Sequence, residues 1–214
     1  VPIDGHGAGL KGKEINAYLT AGITTDHECV HSDEMMERVR RGMYVMLREG
    51  SAARNLHELL KGYRKEISHR LLFCTDDKHI DDLLEEGTID YHVRECLKAG
   101  IDIYSVLRMA SLNAAQCYHL KGKGAIAPGY DADFILLKDV SSFDIASVWV
   151  NGIQYKETSV KKQDYNMKNT VMLGNYSNDY LQMPLRSGNG RLIEEIHNWI
   201  GMIGCIHEII FENG

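Results

Sequence analysis

The first 121 residues repeat one pattern: a short apolar or β-branched stretch, then a polar tip, then a segment with helical spacing. Four strands are predicted, at Val1-Pro2-Ile3, Ile23-Thr24-Thr25, Val45-Met46-Leu47 and Leu71-Leu72-Phe73-Cys74. Helices are predicted over residues 13–21, from an N-cap at Ser32, and over 55–63, 81–87, 89–99 and 104–119. This alternation predicts an α/β fold with a parallel sheet over residues 1–121.

The pattern changes at Gly122. Residues 124–129 are rich in turn residues, and residues 133–137 and 148–152 have the composition of two short strands. We therefore predict a small β element over residues 122–158. Residues 159–214 stay unassigned, because glycines at 201 and 204 interrupt the helical spacing of their apolar positions.

Composition narrows the class of protein. The net charge of −6, from 24 basic and 30 acidic residues, argues against nucleic acid as a partner. The five cysteines form no CxxC pair, which predicts no disulfide framework and a cytoplasmic location. The most apolar stretch, residues 199–206, is too short to cross a membrane. The chain begins on a strand pattern without an initiator methionine, so we expect it to be part of a longer protein.

Residue types that bind metals follow three of the predicted strands. The stretches are Asp4-Gly5-His6, Thr25-Asp26-His27-Glu28 and Cys74-Thr75-Asp76-Asp77. In (β/α)8 barrels the catalytic residues lie at the carboxyl ends of the strands. Imidazole and carboxylate together suit a catalytic metal ion. His6, His27 and Asp76 are thus the candidate ligands, while Glu28 and Glu49 could face a substrate or form ordinary salt bridges.

The stretch His27-Glu28-Cys29-Val30-His31 matches the HExxH pattern of zinc proteases, in which both histidines lie on one helical face. The preceding residues favour a strand, and the helix is predicted to begin after His31. We therefore expect His31 to be a surface loop residue that shares no metal ion with His27.

Several stretches resemble one family. Residues 124–133, followed by 148–152, resemble the segment that closes the β-sandwich of the amidohydrolase superfamily. Seven stretches are similar to bacterial adenine deaminases of that superfamily, in the right order along the chain: residues 4–10, 14–18, 26–28, 46–56, 75–77, 81–87 and 89–90. The resemblance implies an α/β fold that is the C-terminal half of a metal-dependent hydrolase (β/α)8 barrel, with a small β-sandwich element.

The resemblance also implies a site and a reaction. His6, His27 and Asp76 would be metal ligands at a site for two divalent ions, which could be manganese, iron or zinc. Adenine and water would give hypoxanthine and ammonia, with Asp76 as the catalytic acid–base group that receives the proton of the attacking hydroxide. The substrate, a purine, would contact Glu28, Glu49 and Ser51.

The sequence departs from that family in several respects: four strands of the barrel would be missing, and residues 159–214, a possible remnant of the family's further C-terminal domain, match that domain poorly. The chain also contains no HxH pair and no counterpart of the carboxylate that bridges the two metals. We expect the isolated chain to be almost inactive and to pair with the N-terminal half of the enzyme or to form a homo-oligomer. Two alternatives stay open: another cyclic amidohydrolase, of the dihydroorotase kind, and a non-catalytic remnant that acts as an interaction module.

Overall fold

The computed structural model describes residues 2–156, 189–194 and 205–210. The chain divides into two compact units, Val1–Tyr155 and Lys156–Gly214. The predicted boundary between residues 121 and 122 falls inside the larger unit and stays a prediction.

The larger unit is built on a four-stranded parallel sheet. Its strands, in spatial order, are β1 (Ile3–Gly5), β2 (Ile23–Asp26), β3 (Tyr44–Arg48) and β4 (Leu71–Cys74). Strands β3 and β4 carry buried apolar residues on both faces, as is typical of a parallel sheet covered on both sides, and Val45, Leu47 and Leu71 are fully buried. The predicted parallel α/β sheet is confirmed, whereas its completion into a barrel stays a prediction.

Helices follow each strand. They are α1 (Lys13–Thr20), α2 (Ser32–Arg40), α3 (Leu56–Leu60), a 3-10 helix (Lys65–Arg70), α4 (Ile80–Glu85), α5 (Ile89–Lys98), α6 (Ile103–Leu107) and α7 (Asn113–Cys117). Because the strands are parallel, all four strand-to-helix loops leave the same edge of the sheet.

The start of α2 differs from the prediction. Ser32 is the first helical residue, and the N-cap is His31. The carboxylate of Glu34 accepts the amide N–H of Val30 at 2.9 Å and that of His31 at 3.4 Å. These two hydrogen bonds fix the turn ahead of Ser32, as a capping glutamate does.

Two predicted helices differ in extent. The one over residues 55–63 ends at Leu60, and Gly62 beyond it packs so closely that an added Cβ would lie 2.8 Å from the Ser32 Cβ. The one over residues 104–119 is interrupted by a wide π-type turn, Arg108–Leu112, between α6 and α7.

Asn113, the first residue of α7, anchors the beginning of β4. Its buried side-chain amide donates hydrogen bonds to the carbonyl oxygens of Ser68 and Leu71, both at 2.7 Å. The helix layer therefore fixes the position of the strand that leads to Asp76.

A second, antiparallel sheet completes the larger unit. It contains β5 (Phe134–Asp139), β6 (Asp144–Val150) and β7 (Ile153–Gln154), so both strands predicted after Gly122 are present. Phe143 is buried in the same hydrophobic core as the parallel sheet. That this sheet belongs to a β-sandwich stays a prediction.

The smaller unit contains one described hairpin, in which β8 (Asn189–Glu194) pairs antiparallel with β9 (Cys205–Ile210). Leu192 and Ile193, whose spacing resembled a helix, thus lie in a strand. The rest of the unassigned stretch lies outside the described residues. Among the described helices, none combines the length and apolar character needed to cross a bilayer.

Candidate metal centre

Two histidines and a glutamate converge at the carboxyl ends of β1 and β2. His6 directly follows β1, and His27 and Glu28 directly follow β2. The Glu28 Oε1 atom lies 3.5 Å from His6 Nδ1 and 3.4 Å from His27 Nε2. One potential ligand atom from each residue lies within 4.8 Å of the others. Glu28, expected to face the substrate, is therefore part of a group that could hold a metal ion.

The orientation of the His27 ring is set by Asp4. Asp4 Oδ2 lies 2.8 Å from His27 Nδ1, and Asp4 Oδ1 accepts the Thr25 hydroxyl at 2.5 Å. When Nδ1 donates its proton to Asp4, the lone pair of His27 Nε2 faces the Glu28 side. Histidine ligands of metal ions are commonly oriented by a carboxylate in this way.

Arg48, the last residue of β3, links this group to the end of β4. Its guanidinium donates to Glu28 Oε1 through Nη1, and its Nη2 lies 2.6 Å from Asp76 Oδ2 and 3.4 Å from Asp77 Oδ1. The residue is only 8% exposed. The positive charge therefore offsets the repulsion among three carboxylates that approach it from two strand ends.

Asp76 lies two residues beyond β4 and has a backbone φ of 49°. This left-handed conformation is costly for a residue with a side chain and concentrates at functional sites. The neighbouring Asp77 carboxylate accepts the amide N–H groups of Ala52 and Ala53 at 2.8 Å and 3.2 Å, which joins the two loops. Asp76 reaches the histidines through Arg48 and Glu28 and lies outside the 4.8 Å group.

The structure does not bring Glu49 and Ser51 to this group. Glu49 is buried, its carboxylate accepts the Leu56 amide N–H at 3.2 Å, and burial raises its pKa. The Ser51 hydroxyl accepts the His79 amide N–H at 2.7 Å and donates to Asp82. Both side chains stabilise the loops after β3 and β4, and their predicted contacts with the substrate stay predictions.

His31 is separate from the candidate centre. It is exposed, precedes the first turn of α2, and is absent from the group formed by His6, His27 and Glu28. His27 and His31 both precede α2, so they do not share a helical face, and that His31 binds no metal ion together with His27 stays a prediction.

Sequence reasoning gave no role to Asp4 or Arg48, although both belong to stretches that it singled out. An ion-pair partner for Arg48 could have been predicted from the sequence, because an ionisable residue at the end of a buried apolar strand requires a partner. For Asp4 the signal was weaker, since its contact depends on the register of β1 against β2.

A cavity of about 810 Å³ lies away from these residues, between the antiparallel sheet and the helices α5 to α7. Its lining is mostly apolar and includes Phe134, Phe143 and Trp149, but none of the candidate ligands.

The donor set at the strand ends suits a divalent metal ion. Two imidazoles and one carboxylate are typical of catalytic sites for such ions. The family model described as the amidohydrolase family matches residues 1–154. The chain belongs to the amidohydrolase family. Members of this superfamily use divalent metal ions, in agreement with the convergence of His6, His27 and Glu28.

Curated relatives of this amidohydrolase are adenine deaminases. That of Geobacillus kaustophilus is 41% identical over 222 residues, which cover 99% of this chain and 38% of the relative. That of Bacillus pumilus is 54% identical over 150 residues, which cover 70% of this chain and 26% of the relative. The chain thus spans well under half the length of the relatives it matches.

Solved structures support the fold alone. The β-aspartyl dipeptidase of Fervidobacterium islandicum AW-1 superimposes with a TM-score of 0.55 at 22% identity, over 76% of this chain and 47% of that protein. An enamidase of the amidohydrolase superfamily gives a TM-score of 0.51 at 16% identity, over 72% and 47% of the two chains.

Proposed function

We propose that this chain supplies part of an enzyme that hydrolyses adenine to hypoxanthine and ammonia. The supporting observation is the 54% identity with an adenine deaminase over 150 residues, together with the cluster of His6, His27 and Glu28. In this proposal the parallel sheet is the C-terminal half of a (β/α)8 barrel, and the antiparallel sheet belongs to a β-sandwich.

His6, His27 and Glu28 would hold a divalent metal ion, with Asp76 as a further ligand from the end of β4. Such an ion, when bound, supplies a nucleophile near neutral pH by lowering the pKa of water. Two ions are proposed, of manganese, iron or zinc. Asp4 would keep the His27 Nε2 atom directed towards the site through its contact with Nδ1.

Asp76 would be the general acid–base group. Arg48 engages its Oδ2 atom at 2.6 Å, so Oδ1 would be the oxygen that both faces the metal ion and accepts a proton from the attacking water. That carboxylate would carry one proton of the water to a ring nitrogen and the other to the departing amine, and both transfers are needed to form hypoxanthine and ammonia. Ammonia leaves as the carbon–nitrogen bond breaks, and the water oxygen stays on the ring as the oxygen of hypoxanthine.

We propose that three residues contact or border the substrate and that the chain associates with the rest of the enzyme. Glu28 would contact the purine as well as the metal ion, and Glu49 and Ser51 would hold the loops after β3 and β4 that border the purine. The N-terminal half of the enzyme would cover the edge strands of the parallel sheet, or the enzyme would form a homo-oligomer. The enzyme would be cytoplasmic.

The test uses a chimaera in which residues 1–155 of this chain replace the matching segment of the Geobacillus kaustophilus adenine deaminase. We expect the chimaera to release ammonia and hypoxanthine from adenine, and the isolated 214-residue chain to release almost none. The unmodified Geobacillus enzyme is the positive control. A folded, metal-loaded chimaera that hydrolyses dihydroorotate but not adenine would contradict the proposal, as would one that hydrolyses neither.

A further inference from the structure

A fully buried ion pair adjoins the two loops that carry the candidate metal centre. Arg38 of α2 and Asp26 of β2 are both 0% exposed, and Arg38 Nε lies 2.5 Å from Asp26 Oδ2. Removing two charges from water costs free energy, which is recovered only when the remaining donors and acceptors are also paired. The positions of these donors and acceptors identify the segments that the ion pair holds in place.

The partners are the two loops that carry the histidines. Asp26 Oδ1 accepts the amide N–H of Gly7 at 3.3 Å and that of Glu28 at 3.0 Å. Gly7 directly follows His6, and Glu28 directly follows His27. Arg38 Nη2 donates to the Gly7 carbonyl oxygen. One buried carboxylate and its guanidinium therefore join the backbone beside His6 to the backbone beside His27.

Two further observations support this arrangement. Glu34, one turn before Arg38 on α2, also spans both loops, because its carboxylate accepts the amide N–H of Gly9 at 3.2 Å and that of Val30 at 2.9 Å. Gly7 packs so closely that an added Cβ would lie 3.0 Å from Asp26 Oδ2. A side chain at the position after His6 would therefore have to displace the Asp26 carboxylate by a few tenths of an ångström.

We propose that Asp26 and Arg38 are positioning residues, which set the separation of His6 and His27 and thereby determine the affinity for a divalent metal ion. The inference rests on the metal site of the proposed function. The pair does not coordinate the ion; it acts through the backbone amides of Gly7 and Glu28.

The test compares two double variants of the full 214-residue chain. Asp26→Leu with Arg38→Met removes both charges and the acceptor of the two amides. Asp26→Asn with Arg38→Gln removes both charges but keeps an Oδ1 acceptor for them. Neither leaves one charge of the Asp26–Arg38 pair without the other, so both avoid the cost of unpairing that ion. The matched control, Glu37→Leu with Arg41→Met, removes a partly exposed ion pair at the C-terminal end of the same helix.

The probe is Co²⁺ alone, titrated into each protein and followed by its visible absorption, with thermal unfolding of the metal-free proteins measured alongside. We expect the Leu/Met variant to bind Co²⁺ about 10- to 100-fold more weakly, as for other residues that orient ligands, with an altered spectrum. The Asn/Gln variant and the Glu37/Arg41 control are expected to stay close to the original chain. If the Leu/Met variant does not fold, Gly7→Ala is expected to show the same loss of affinity.

Unchanged affinity in the Leu/Met variant, or in Gly7→Ala where that variant does not fold, would overturn the inference. An equal loss in both double variants would also overturn it, because charge rather than the amide contacts would then control binding. No Co²⁺ binding by the original chain would overturn both the inference and the metal site. An adenine assay that fails while the Co²⁺ results hold would reject only the proposed function.

Discussion

Arg48 and Asp76 form an ion pair across the ends of β3 and β4, with Nη2 and Oδ2 separated by 2.6 Å. The same guanidinium also donates to Glu28 at the end of β2. The aspartate that the proposed reaction needs is therefore held at the same edge of the sheet as the two histidines, although it touches neither. This relationship makes Arg48 the first residue to test.

Replacing Arg48 with methionine in the chimaera should lower kcat by about 10- to 100-fold, the range found for residues that orient metal ligands. The carboxylates of Glu28, Asp76 and Asp77 would then repel one another and change position. Steady-state kinetics with adenine, together with metal content, measure the effect. Arg64→Met, at an exposed arginine, is the control. Equal activity of the two variants would show that Arg48 positions nothing the reaction needs.

Asp76→Asn in the chimaera should reduce the rate of ammonia release by on the order of a hundredfold or more, because it removes the proton acceptor. Adenine binding should be partly retained, since the loss falls on proton transfer and metal geometry. The comparison is with Asp81→Asn, an exposed aspartate of α4. Near-normal turnover by Asp76→Asn would reject the role given to that carboxylate.

His27→Ala should abolish detectable Co²⁺ binding by the chain, whereas His31→Ala should leave it unchanged. The two histidines belong to the same five-residue stretch, but only His27 lies in the group with His6 and Glu28. Titration of each variant with Co²⁺ measures the difference. Loss of binding in both variants would restore the HExxH interpretation.

Glu49→Gln should stabilise the chain by an amount that grows with pH. Burial raises the pKa of Glu49 above its ordinary value of 4.5, so protonation favours the folded state. The original chain thus loses stability as the pH rises from 4.5 through the raised folded pKa, while the glutamine does not titrate. Urea unfolding at several pH values measures the difference, with the exposed Glu66→Gln as control. A difference independent of pH would contradict this origin.

The local hydrophobic pattern of the sequence was sufficient to predict the strands that carry the candidate ligands. The apolar run Leu71–Cys74 was predicted with its observed bounds, because a short buried strand between polar residues is a strong local signal. The convergence of His6 and His27 was also predictable, since parallel neighbours end at one edge of a sheet.

Features that depend on distant residues were not predictable. The π-type turn before α7 accompanies Asn113, whose hydrogen-bond partners Ser68 and Leu71 lie more than forty residues away in sequence. The start of α2 depends on how Glu34 folds back over the preceding loop. The ion pairs of Arg48 with Glu28 and Asp76 were not predictable either, because they depend on how the ends of three strands lie relative to one another.

The most direct test of the central claim is the position of the metal in crystals of the chimaera grown with Mn²⁺. An anomalous difference map should show a peak within bonding distance of both His6 and His27, with Asp76 or Glu28 completing the ligand set. A peak at His31 instead, or full occupancy at a site that contacts neither His6 nor His27, would contradict the account.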